Sequence, residues 1–156
     1  MNRAPIISLG ISGIALIGLL VAEGYRDNAY IPVAGDVPTI GFGTTQNVKI
    51  GDKVTVAEAL NRAVVDVQKF EGAIKSCVTV PLHQYEYDAY TSLAYNIGSG
   101  AFCRSTLVRL LNKTNYDDAC RQILKWDNFK GKPLRGLTIR REKEYKQCIG
   151  VTNYKG

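Results

Sequence analysis

Residues 23–43 read EGYRDNAYIPVAGDVPTIGFG and follow directly on an uncharged apolar run. Glycine and proline interrupt two short β-prone pieces, YIPV and PTIGFGTT, a pattern typical of a small irregular hairpin. Glu23 stands at the boundary between the apolar run and this hairpin. The stretch therefore predicts a helix that ends at a carboxylate and leads into a small sheet.

The apolar run covers residues 4–22 and contains no charge. At the helical rise, about nineteen residues span a bilayer core of roughly 30 Å. Arg3 precedes the run, and positive charge at this place orients the rest of the chain outward on export. A cleaved signal peptide is one alternative, but a cut after Ala22 would place Leu20 where a small residue is usual. A permanent anchor with an unrelated function is another alternative. We expect instead that residues 1–22 are retained as a working part of the protein, as an anchor or as a buried helix.

The glycines, alanines and serines of residues 4–22 make this run much less apolar than a leucine-rich anchor. Its residence in lipid should therefore be marginal. The sequence predicts a segment that is able to leave the membrane again.

Size and charge bound the possible functions. The chain has 156 residues, a net charge of +6 and a pI near 9.2, which predicts one domain with an anionic partner. Nucleic acid, an acidic membrane surface and the bacterial cell wall all fit that description. The absence of a basic stripe interleaved with aromatic residues disfavours nucleic acid.

The four cysteines form no CxxC pair, and His83 is the only histidine, so we expect no metal site. Widely spaced cysteines behind an export-like segment indicate two disulfides in an oxidising compartment, with four free thiols as the alternative. Three pairings are possible. We favour Cys77–Cys148 and Cys103–Cys120, because Cys103 and Cys120 flank one short helical pattern.

The rest of the chain reads mainly as helix. Residues 55–58, TVAE, form a capping-box pattern, and apolar residues recur behind it at helical spacing to about Ser76. Further helical patterns end at glycine or proline breaks, which predicts an α+β architecture with a small N-terminal sheet and a mostly helical lobe. These patterns cover residues 81–98, 105–112, 115–126 and 137–148.

Several motifs together resemble the phage-type lysozymes of glycoside hydrolase family 24. EGYRDNAY followed by TIGFG is similar to the active-site motifs of that family, and PLHQYEYDAYTSLAYNIGSGAF, STLVRLLN and GLTIRREKE are similar to its helical lobe. The resemblance covers roughly residues 22–150, in the family's order. It implies a lysozyme-like fold.

The resemblance implies that Glu23 is the catalytic acid and that Thr39 holds the attacking water. An apolar helix end suits an acid, because desolvation and the helix C-terminus both favour the neutral carboxyl. The family's second catalytic position, nine residues after the glutamate, is Pro32 here. Asp36 is the carboxylate that an insertion would carry to that position, and its alternative role is that of a turn residue.

The resemblance also implies substrate-binding roles for Tyr30, Tyr95 and Asn96. Arg140 or Arg141 is expected to pair with Glu23 across the cleft. The alternatives are a core position for Tyr95 and solvated helix charges for the two arginines.

Phages of Gram-negative hosts make endolysins of this family with a signal-anchor-release segment, and residues 1–22 resemble one. Residues 23–156 would then be a muramidase domain that cleaves peptidoglycan for host lysis, as a monomer without a cofactor. The N-terminus would lie in the cytoplasm until membrane depolarisation releases the enzyme from the inner membrane to the periplasm. The alternative function is a non-catalytic, membrane-tethered cell-wall-binding or holin-like protein, and an exported nuclease is a weaker one.

Overall fold

The computed structural model describes residues 2–151. These residues form two compact units: residues 16–69 make up the small unit, and residues 2–15 and 70–151 make up the large unit. The chain passes from one unit to the other within helix α1 (Gly13–Glu23) and again within helix α2 (Val56–Cys77).

The small unit contains the predicted hairpin. Strand β1 (Arg26–Tyr30) pairs antiparallel with strand β2 (Thr39–Gly41). The prediction placed the first strand at YIPV, whereas β1 ends at Tyr30. Pro32 explains this difference, because proline has no N–H to donate to a ladder and is disfavoured inside paired strands.

The core of the small unit joins β2 to the start of α2. Ile40, Val48, Val54 and Ala59 form one buried cluster. Gly41 has a φ of +64°, and a Cβ at this position would lie 2.9 Å from the Cβ of Ala59. Only glycine therefore allows this close approach of strand and helix.

The capping box predicted at TVAE is confirmed and begins α2. The Thr55 N–H donates to Glu58 Oε2 at 2.8 Å, and the Glu58 N–H donates to Thr55 Oγ1 at 3.2 Å. Hydrogen bonds from the Thr55 N–H and the Thr55 hydroxyl to the Glu58 carboxylate lower the pKa of Glu58. Because the cap satisfies N–H groups that lack a helical partner, it fixes the start of the helix.

The large unit is mainly helical, as predicted. Helix α3 (Gln84–Ile97) contributes most to its core and buries Tyr87, Tyr90 and Leu93 completely. The short helix at residues 99–103 falls where the sequence indicated only a break, and Ile123–Lys125 forms a 3₁₀ turn. The elements are α3 (Gln84–Ile97), α4 (Ser99–Cys103), α5 (Thr106–Leu111), α6 (Tyr116–Gln122), β3 (Asn128–Phe129), β4 (Lys132–Pro133) and α7 (Arg135–Cys148).

Two disulfides are present, but the predicted pairing was wrong. Cys77 pairs with Cys103, and Cys120 pairs with Cys148, each with a Cα–Cα distance of 5.7 Å. The prediction joined Cys103 to Cys120 because they flank one short helical pattern, and Cys77 to Cys148 because they lie at opposite ends of the remaining domain. The packing of the helices determines which cysteines pair. The end of α4 lies next to the end of α2, and α6 lies beside α7.

We expected residues 1–22 to form an anchor or a buried helix, and the described part of this segment is helical only in part. It begins with an isolated β-bridge between Ala4 and Leu82 and a 3₁₀ turn, Ile6–Ser8, and α1 starts only at Gly13. Within α1 only Leu19 is buried, whereas Ile17 is 63% and Val21 is 76% exposed. Between residues 2 and 151, every helix is too short or too polar to cross a membrane.

Candidate active site

Glu23 is the last residue of α1, as the sequence predicted. Gly24 follows with a φ of +71° and donates its N–H to the Leu20 carbonyl at 3.1 Å. A glycine in this left-handed conformation is a common way to end a helix. The helix end therefore presents the half-buried Glu23 carboxylate next to the hairpin.

The turn after β2 packs against that carboxylate. A Cβ at Gly43 would lie 3.2 Å from Glu23 Oε2, and Gly43 has a φ of +92°. The turn is closed by two backbone hydrogen bonds between Ile40 and Thr44, of 2.9 and 3.0 Å. Gly43, the second glycine of TIGFG, thus leaves space for the Glu23 carboxylate.

Thr39 begins the same short strand. Its side chain is buried, and Oγ1 donates to the Val37 carbonyl at 3.2 Å. Tyr30 stands opposite Thr39 in the ladder and is partly exposed. The hairpin therefore connects Thr39 and Tyr30 directly to the turn that contacts Glu23.

Asp36 lies in the loop before β2 and is exposed. Its backbone N–H donates to the Val33 carbonyl at 2.9 Å, and its Oδ1 accepts the Val37 N–H at 2.8 Å. This local pattern is that of an aspartate that stabilises a turn.

Tyr95 and Asn96 lie on α3 in the large unit. The half-buried ring of Tyr95 packs against Phe70, with centroids 5.1 Å apart. Asn96 is exposed, and its Oδ1 accepts a hydrogen bond from Arg141 Nη2.

Arg140 and Arg141 both hold Glu144. Arg141 Nη1 lies 2.8 Å from Glu144 Oε2, and Arg140 Nε lies 3.3 Å from Oε1. Ser92 Oγ also donates to Glu144 Oε1 at 2.7 Å. Burial raises the pKa of Glu144, while Arg141, Ser92 and Arg140 favour its ionised form.

Arg141 is fully buried, so the alternative of solvated helix charges is wrong for this residue. Glu144 and Ser92 were missed by the sequence analysis. The available signal was the spacing of three and four residues from the two arginines to Glu144, which places these side chains on one helix face.

A separate groove of about 360 Å³ lies within the small unit. It contains none of Glu23, Asp36 and Thr39, so this concavity does not mark the candidate active site. The residues that line it are Thr44, Gln46, Asn47, Asn61, Arg62, Val65, Asp66 and Lys69.

Comparison with known proteins gives consistent matches over most of the chain. The family model described as phage lysozyme matches residues 21–144. The SAR-endolysin of Pseudomonas phage phiKMV is 36% identical over 139 residues, which are 86% of this chain and 86% of that protein.

Solved structures match as well. The endolysin from Escherichia coli O157:H7 phage FAHEc1 is 30% identical with a TM-score of 0.80, and the match covers 99% of this chain and 100% of the other. The muramidase domain of SpmX from Asticaccaulis excentricus is 28% identical with a TM-score of 0.82, over 90% and 98% of the two chains.

Proposed function

Because the chain belongs to the phage lysozyme family, we propose that it is an endolysin that hydrolyses peptidoglycan for host cell lysis. It is a glycoside hydrolase of the lysozyme type, and its substrate bond is the β-1,4 link between N-acetylmuramic acid and N-acetylglucosamine. The observation that carries this proposal is the Glu23 carboxylate at the end of α1, held against Gly43 beside the strand that begins at Thr39.

In the proposed mechanism Glu23 protonates the glycosidic oxygen of the leaving sugar. Thr39 holds a water on the opposite face of the sugar ring, and this water attacks the anomeric carbon with inversion. The proton of Glu23 goes to the leaving oxygen, and the water adds its hydroxyl to the anomeric carbon. The second proton of the water passes to solvent, from which Glu23 is protonated again. Asp36 is the carboxylate that the sequence predicts for the second catalytic position, but its hydrogen bonds favour the alternative role of a turn residue. Tyr30, Tyr95, Asn96, Arg140 and Arg141 remain predicted substrate-site residues.

We also propose that residues 1–22 tether residues 23–156 to the inner membrane before release to the periplasm. Support comes from the relatives named SAR-endolysin and from the exposed apolar side chains Ile7, Ile14, Ile17 and Val21. The tethered chain has its N-terminus in the cytoplasm, and the released enzyme acts as a monomer. The net charge of +6 favours binding to acidic peptidoglycan.

The function is tested by digestion of purified peptidoglycan with the full-length protein, followed by mass spectrometry of the fragments and of the intact chain. We expect fragments with muramic acid at the reducing end, produced by a chain that retains residues 1–22. A holin-like or purely binding protein would release no such fragments, and a chain that begins at Glu23 would contradict retention of the segment.

Asp36→Asn tests whether this carboxylate takes part in the reaction. We expect kcat to fall by less than about tenfold, because an asparagine oxygen still accepts the Val37 N–H that stabilises the turn. Initial rates of peptidoglycan hydrolysis beside the parent protein provide the measurement. A loss of about a hundredfold or more would instead assign Asp36 as the second catalytic carboxylate.

A further inference from the structure

Within the large unit, residues 3–12 pack against the helical part of the chain through three carboxylates. These carboxylates, which accept the hydrogen bonds, belong to Glu71 on α2 and to Glu86 and Asp88 on α3. Each accepts hydrogen bonds from a different part of this stretch, which we call the N-terminal strap.

Glu86 binds the start of the strap. Arg3 Nη2 lies 2.7 Å from Glu86 Oε1, and Arg3 Nε lies 3.0 Å from Oε2. The Glu86 side chain is 3% exposed, and the Arg3 guanidinium stacks 3.5 Å from the centroid of the Tyr116 ring. The hydrogen bond to Glu86 raises the pKa of Arg3. A two-pronged, largely buried contact of this kind is stronger than a surface ion pair.

Glu71 and Asp88 bind the end of the strap. Glu71 Oε1 accepts the Ile11 N–H at 2.6 Å, and it also accepts the Tyr87 hydroxyl at 2.9 Å. Asp88 accepts the Ser12 N–H at 2.9 Å and the Ser12 hydroxyl at 2.7 Å. Gln84 donates to both Asp88 and the Gly10 carbonyl. These acceptors bind backbone N–H groups immediately before α1. N–H groups at the start of a helix have no carbonyl partner within the helix and need acceptors from elsewhere.

Apolar contacts alone do not distinguish a docked strap from one in lipid. Leu9 is buried and Ile6 packs against the core, but Ile7 remains exposed. A bilayer accommodates apolar side chains as well as a protein core does. The hydrogen bonds to the three carboxylates do distinguish the two states, because they form only when the strap is docked. In a membrane-spanning helix the N–H groups of Ile11 and Ser12 would instead bond to carbonyls of the same helix.

We propose that Glu71, Glu86 and Asp88 form a capture site that holds the N-terminal segment in its released position. This inference rests on the membrane tethering proposed above. In the tethered topology Arg3 begins on the cytoplasmic side, so Glu86 becomes its partner only after the segment has left the bilayer. The capture site therefore opposes return of the segment to the membrane.

The test measures the ratio of soluble to vesicle-bound full-length protein, with vesicles of phosphatidylethanolamine and phosphatidylglycerol and no membrane potential. The variants are Glu71→Gln, Glu86→Gln and Asp88→Asn, all of which leave the apolar segment itself unchanged. Each also removes one negative charge and so strengthens attraction to phosphatidylglycerol. Glu142→Gln, at an exposed position on α7, is the matched control for that change.

We expect each capture variant to lower the ratio about tenfold, a typical effect of losing a charged hydrogen bond, while Glu142→Gln leaves it nearly unchanged. Amide hydrogen exchange in vesicle-free protein should accelerate at Ile11 in Glu71→Gln and at Ser12 in Asp88→Asn. Exchange in α3 should stay slow, which separates loss of capture from loss of the fold.

A shift in the capture variants no larger than that of Glu142→Gln would overturn the capture site. A parent protein that never binds vesicles would overturn both tethering and capture. The hydrolysis assay on the same preparation reports separately on the muramidase, so failure of the enzyme and failure of capture are distinguishable.

Discussion

Glu23→Gln is expected to lower kcat on peptidoglycan by about a thousandfold. Glutamine has nearly the same shape and fits against Gly43 as glutamate does, but its amide cannot protonate a leaving oxygen. General acid catalysis typically contributes factors of about 10² to 10⁴. The loss should therefore appear in kcat, with little change in the binding of peptidoglycan.

The measurement is the initial rate of release of reducing ends, together with sedimentation of the variant with insoluble peptidoglycan. Glu142→Gln makes the same chemical change at an exposed position and should retain the parent rate. Lysis by Glu23→Gln at the parent rate would remove Glu23 from the mechanism and favour the non-catalytic alternative.

Glu144→Gln is expected to lower the free energy of unfolding by about 3 kcal/mol. The change removes the carboxylate that Arg141, Arg140 and Ser92 share, and it leaves the fully buried guanidinium of Arg141 without this counter-charge. Removing one partner of a buried ion pair typically costs about 3–5 kcal/mol. That is a large fraction of the about 5–15 kcal/mol that stabilises an ordinary domain.

Urea unfolding curves of the parent protein and of Glu144→Gln provide the measurement. Their midpoints are compared after checking that the two m-values agree. Glu142→Gln lies on the same helix two residues earlier and should change stability by less than about 0.5 kcal/mol, as exposed substitutions usually do. Equal midpoints for Glu144→Gln and Glu142→Gln would mean that Arg141 does not depend on this carboxylate.

The sequence predicted most helices because their signals are local. The capping box of Thr55 and Glu58 and the apolar spacing behind it place α2 within a residue of its observed end at Cys77. The structure of the N-terminal strap was not predicted, because the contacts that determine it are not local. Its composition favours a continuous helix, but acceptors distant in sequence, such as Asp88, bind its backbone and delay the helix until Gly13.

The site was predictable to the extent that it lies in one contiguous motif. Glu23, Thr39 and Gly43 all lie within residues 23–43, the end of α1 and the hairpin that follows it, so their association follows from sequence order. Glu144 and the disulfide partners were not predictable in this way. A buried carboxylate on a charged helix looks like a solvated one, and four cysteines become specific pairs only when helices pack.

Both disulfides join residues of the large unit, and neither includes a residue of the N-terminal strap. In the proposed topology all four cysteines reach the periplasm while the strap is still in the membrane. Disulfide formation takes seconds to hours, yet it can be complete before the tether is released. With that topology the host cell would accumulate enzyme in which both disulfides have already formed. The delay between trigger and lysis would then be set by the time in which a short segment leaves the bilayer and docks.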